Sequence, residues 1–63
     1  MERYDIANGK GEIVRDNATE EQVREFTAGL NNYESWKKNC ANFSMLEVIE
    51  MLNVNGYTAT LTQ

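Results

Sequence analysis

The stretch RYDIANGKGEIVRD, residues 3–16, places Tyr4 and Ile6 two apart, then Asn8-Gly9-Lys10-Gly11, then Ile13 and Val14 among charged residues. Alternating apolar positions either side of an Asn/Gly cluster predict a β-hairpin, because asparagine and glycine reach the positive φ angles that tight turns demand. Strand one is expected near residues 3–7 and strand two near 12–16. Gly9-Lys10-Gly11 lacks the spacing and the following helix of a phosphate-binding loop, so its glycines read as turn formers.

Working outward, ATEEQVREFTAGL (18–30) carries a capping box, Thr19 with Gln22, and a weak hydrophobic staple, Ala18 with Val23. The helix begins at Glu20 and is expected to run to 29, where Gly29 ends or bends it. Glu20 and Glu21 complement the helix dipole, Glu20 pairs with Arg24, and Val23, Phe26 and Leu30 form the buried stripe. The same logic recurs in FSMLEVIEML (43–52): Ser44 and Glu47 are the box, Phe43 and Val48 the staple, and Met45, Val48, Ile49 and Leu52 the apolar face of a helix over 45–53. Two glycosylation sequons, Asn17-Ala18-Thr19 and Asn42-Phe43-Ser44, coincide with these helix starts, so their hydroxyls are accounted for as N-caps. Asn53 to Gly56 is a turn that lacks the glycine position and the bidentate glutamate of a calcium loop. In YTATLT (57–62), Tyr57, Ala59 and Leu61 alternate with Thr58, Thr60 and Thr62, which predicts a strand with one wet face.

Between the two capped helices lies NNYESWKKNC (31–40). A separate helix over 33–41, capped by Asn31 or Asn32, is preferred to a continuation of the first, since glycine followed by two asparagines is costly inside a helix. The chain is thus expected to be a single small α+β domain, residues 1–63: a three-stranded antiparallel sheet in the order β-β-α-α-α-β, with two or three short helices packed on one face. The last strand is expected to pair with the hairpin, because two strands alone are only marginally stable.

Composition narrows the function by exclusion. At 63 residues the chain buries only roughly 60% of its unfolded surface and supports one core. Ten acidic against six basic residues give a net charge of −4, a field that repels phosphate backbones and anionic membranes. The absence of histidine and the single cysteine, Cys40, exclude the common zinc sites and histidine-dependent triads within one chain. Cys40 reads as a small buried hydrophobe, and no cofactor is called for. Glu20, Glu21, Glu25, Glu47 and Glu50 fall on outward helix faces, where nothing desolvates them toward acid–base catalysis. No apolar run is long enough for a membrane span and no signal-peptide pattern opens the chain, so a cytoplasmic, non-enzymatic protein is expected.

What remains is binding. Tyr33 and Trp36 beside Lys37 and Lys38 either fill the core next to a solvated lysine face or form an aromatic-plus-basic patch for a partner; these four are the candidate partner-binding residues. The charged hairpin followed by the Thr19–Glu21 helix start, residues 3–30 of a short acidic chain, resembles in style the small accessory proteins of bacteriophages and mobile elements. The resemblance implies an inhibitor or regulator of a host or defence protein, as anti-CRISPR proteins are. The alternatives are a helix-turn-helix regulator with Lys37, Lys38 and Arg24 on phosphates, which the net charge opposes, and an acidic DNA mimic. An open sheet edge would also admit strand addition by a partner or a second copy, giving a homodimer.

Overall fold

Asn8 organises the hairpin through its side chain. Its Oδ1 accepts from the backbone N–H groups of Lys10 (2.9 Å) and Glu12 (3.0 Å), and its amide donates to Glu12 Oε1 (2.9 Å). The Asn8 N–H donates to the Glu12 carbonyl, which leaves a three-residue loop whose last member, Gly11, takes φ +83°. This is the three-residue hairpin closure in which glycine serves the left-handed position. The computed structural model describes residues 2–30 and 42–62. The hairpin strands are β1 (Arg3–Ala7) and β2 (Ile13–Thr19). They are followed by α1 (Glu20–Leu30), α2 (Met45–Val54) and β3 (Thr58–Thr62).

The α+β class and the three-stranded antiparallel sheet hold, with β1 in the centre and order β2-β1-β3. The expected third helix, 33–41, lies outside the described residues, as do Cys40 and the four candidate binding residues. Both capping boxes are formed. Thr19 Oγ1 accepts from the Gln22 N–H (3.2 Å) while Gln22 Oε1 accepts from the Thr19 N–H (2.9 Å); Ser44 and Glu47 repeat the exchange at 3.2 and 3.1 Å. Gly29 does not end α1, which runs through it to Leu30.

The C-terminus of α2 closes with a motif that aims the chain at the sheet. The Tyr57 N–H donates to the Leu52 carbonyl and the Gly56 N–H to the Asn53 carbonyl, both at 3.0 Å, around Gly56 at φ +87°. This 6→1 and 5→2 pair is a Schellman closure, which needs a left-handed residue at Gly56 and brings Tyr57 back toward Leu52. β3 starts one residue later. Tyr57 then packs edge-on against Phe26, with ring centroids 5.3 Å apart at 81°.

The core is Tyr4, Ile6, Ala18, Val23, Val48 and Leu52, drawn from β1, β2 and both helices, so the helices lie on one face of the sheet. Met45 and Ile49 pack against its margin, as does Phe26. Thr27, which the apolar pattern passes over, is fully buried because its hydroxyl donates to the Val23 carbonyl one turn back (2.8 Å).

Two expectations fail at the edge strands. β2 is longer than 12–16 and is bulged twice: from Tyr4 to Ile6 its register moves from Ala18 to Arg15, and from Ile6 to Ala7 it moves from Arg15 to Ile13. Each bulge adds a residue and changes which side chains face the core. Ile13 is therefore 55% exposed, while Arg15 reaches over the Phe26 ring at 5.4 Å. In β3, Leu61 shares the helix-side face with Ala59 and Tyr4, but it is 58% exposed because, among the described residues, its strand has a neighbour on one side only.

Two glycines should respond with opposite signs. Gly29 is helical with open space around the position of a Cβ, so Gly29→Ala is expected to stabilise by about 0.4–1 kcal/mol. Gly56 also has open space but a positive φ, so Gly56→Ala is expected to destabilise by about 1–2 kcal/mol. Urea unfolding followed by circular dichroism checks both.

Candidate interaction surface

The helix layer presents an acidic outer side. Glu20, Glu21 and Glu25 on α1 and Glu47 and Glu50 on α2 are all exposed, as their helix positions require. Arg24, the cation in their midst, is half-buried. Its Nη2 donates to Glu20 Oε1 at 3.2 Å and its Nη1 to the Phe43 carbonyl, so it ties α1 to the residue that precedes the α2 cap. A guanidinium engaged in this way is not presented as the phosphate contact that a helix-turn-helix reading would give it.

On α2, Met45, Val48, Ile49 and Leu52 face the core, yet two further large apolar side chains point outward: Leu46 is 76% exposed and Val54 80%. They stand eight residues apart on one side of the helix with Glu50 midway, since residues four apart share a face. Beside this stripe runs an open groove of about 510 Å³ lined by Phe43, Glu47, Glu50, Met51, Asn53 and Val54. Its composition is an apolar floor with a carboxylate rim. A second open groove, about 740 Å³, separates β2 from α1, and Arg15, Asp16, Gln22 and Glu25 give it walls of both signs over Val14 and Phe26.

Both sheet edges are open among the described residues, but they differ. β2 carries two bulges, exposed Arg15 and Asp16, and Asn17 at φ +54°. That strained residue is held by Asp5, whose Oδ1 accepts the Asn17 N–H (3.0 Å), and by Arg3, whose Nη1 donates to the Asn17 carbonyl (3.3 Å). β3 has no bulge and no charge, and all five of its residues pair in register with β1.

The Tyr4 pKa is displaced upward from its ordinary value. Burial pushes its phenol up, the neighbouring Glu2 carboxylate, which accepts its hydroxyl at 3.4 Å, pushes the same way, Glu20 adds to this, and Arg24 opposes it. No three metal-ligating side chains converge among the described residues, and no helix there is long and apolar enough to cross a membrane.

The expected patch of Tyr33, Trp36, Lys37 and Lys38 lies outside the described residues, so the surface assembled here is a different one. Its signal was present in the sequence: Leu46 and Val54 fall off the apolar face that Met45, Val48, Ile49 and Leu52 define. Compared with protein-family models, with curated proteins and with solved structures, the chain has no significant match.

Two outcomes follow. Arg24→Ala is expected to cost about 1.5–3 kcal/mol, because it removes charge-assisted bonds that join two elements, whereas Glu20→Ala is expected to cost less than about 1 kcal/mol. Chemical denaturation of both variants checks the order. Raising the folded Tyr4 pKa above its unfolded value of about 10 means that the unfolded chain ionises first. Stability is then complete below about pH 10 and falls as pH rises through the folded value, and Tyr4→Phe should flatten that alkaline slope in melts taken across it.

Proposed function

We propose that the chain is a small non-enzymatic protein-binding module, a regulator or inhibitor that works by covering a cationic and apolar surface of its target. The observation that carries this reading is the pair Leu46 and Val54, exposed on α2 with Glu50 between them and the Phe43–Met51 groove alongside. Exposed apolar side chains that share one face and are rimmed by polar groups mark interaction sites more than scattered ones do. The surrounding carboxylates and the net charge of −4 favour a basic partner and oppose a nucleic acid. Occlusion of a host or defence protein, the style of action of small phage-type inhibitors, fits a domain of this size.

Tagged wild-type chain and a Leu46→Asp/Val54→Asp variant, confirmed as folded by circular dichroism, would be used to capture partners from lysate. The expected result is a basic protein held by the wild type, released by added salt and lost from the variant. Equal capture by both proteins, or duplex DNA bound by the wild type at micromolar concentration, overturns the proposal.

A further inference from the structure

We propose that a second copy of this chain is the natural occupant of the β3 edge, paired antiparallel about a two-fold axis centred on Thr60 to make one continuous six-stranded sheet. The inference is independent of the α2 surface and rests on a contrast between the two edges of the sheet.

An unpaired strand edge is a template for another strand unless charges, bulges or cover blunt it. β2 is blunted by two bulges, by exposed Arg15 and Asp16, and by the left-handed Asn17. β3, Thr58-Ala59-Thr60-Leu61-Thr62, carries no charge and no bulge, runs in unbroken register with β1, and has no strand paired on its outer side among the described residues. In a chain of net charge −4, an uncharged five-residue edge is where two copies meet without placing like charges opposite each other.

The sequence of β3 is also complementary to itself. A two-fold centred on Thr60 sets Thr60 opposite its own copy, Thr58 opposite Thr62, and Ala59 opposite Leu61. One face then becomes a ladder of threonine pairs, a favourable cross-strand combination. On the other face each Leu61, 58% exposed in the single chain, lies against the second copy's Ala59 and diagonally against its Leu61. That exposure on the helix side also means α2 does not overhang this end of the edge.

The experiment is sedimentation equilibrium on the full chain across concentration and salt, with Thr60→Lys and Thr60→Glu variants. Thr60 is exposed, so both variants should fold. The wild type is expected to move from 7.2 kDa toward twice that mass, more readily at high salt, because screening relieves repulsion between like-charged copies. Each variant alone should associate about five-fold more weakly, and an equimolar mixture of the two should recover the dimer by pairing lysine with glutamate at the axis. A wild type that stays monomeric up to about 1 mM, or variants that dimerise as well as it does, overturns the proposal. If either variant fails to fold, intermolecular NOEs between Ala59 and Leu61 methyls in a mixed labelled and unlabelled wild-type sample decide: their presence supports this register and their absence overturns it. Capture of a basic protein through α2 weakens with salt and self-pairing strengthens, so failure of one reading is distinguishable from failure of the other.

Discussion

β1 is hydrogen-bonded along both edges, to β2 on one side and β3 on the other, and its two inward side chains, Tyr4 and Ile6, are the floor on which both helices rest. Ile6 is fully buried with Val23, Val48 and Leu52. Each such side chain contributes roughly 1.5–3 kcal/mol by leaving water, and there are few of them, so none is dispensable in a domain this small. The N-terminal strand therefore depends on the C-terminal one. Only when β3 returns to β1 does the chain have a sheet wide enough to carry two helices, and the Schellman turn at Gly56 is the device that returns it.

What was legible in the sequence is what is decided within four residues. The boxes Thr19/Gln22 and Ser44/Glu47, the Glu20–Arg24 pair and the Asn8 turn are all local, and each is found where its spacing put it. Non-local features were not legible. Ile13 is exposed and Arg15 lies opposite Ile6 because two bulges, set by pairing with β1, shift the parity of β2 twice. Arg24 was read as an ion-pairing cation, but its bond to the Phe43 carbonyl, nineteen residues away, belongs to the tertiary fold. Leu61 has the right alternation for a core position and the wrong place in the sheet, since alternation selects a face and says nothing about what covers it. The candidate site was readable only as a departure from pattern, two apolar residues off the buried face of α2.

The same residues that hold the helices together also set the charge of the exposed side. Glu20, Glu21 and Glu47 sit in first turns, where the helix dipole favours them, and Glu47 completes a capping box. Neither helix has a basic residue in its last turn, so the cationic half of the usual helix pattern is missing. Stabilisation at the N-termini without compensation at the C-termini leaves a net acidic layer. An acidic outer face is thus a consequence of how these short helices are stabilised, and any partner that uses it meets that charge first.

The two described helices lie on one side of the three-stranded sheet and leave two kinds of surface with opposite requirements. The outer side of the helix layer is charged and interrupted by Leu46 and Val54, so it suits a partner of different composition. The β3 edge is uncharged and, about Thr60, sets threonine against threonine and Ala59 against Leu61, so it suits a copy of itself. Because a two-fold axis normal to the sheet keeps both helix layers on the same side, edge pairing would not bury the α2 stripe but would set two of them facing one way. In the proposed dimer two modest surfaces would act at a raised effective concentration, so the proposed target would be held more firmly than by either surface alone.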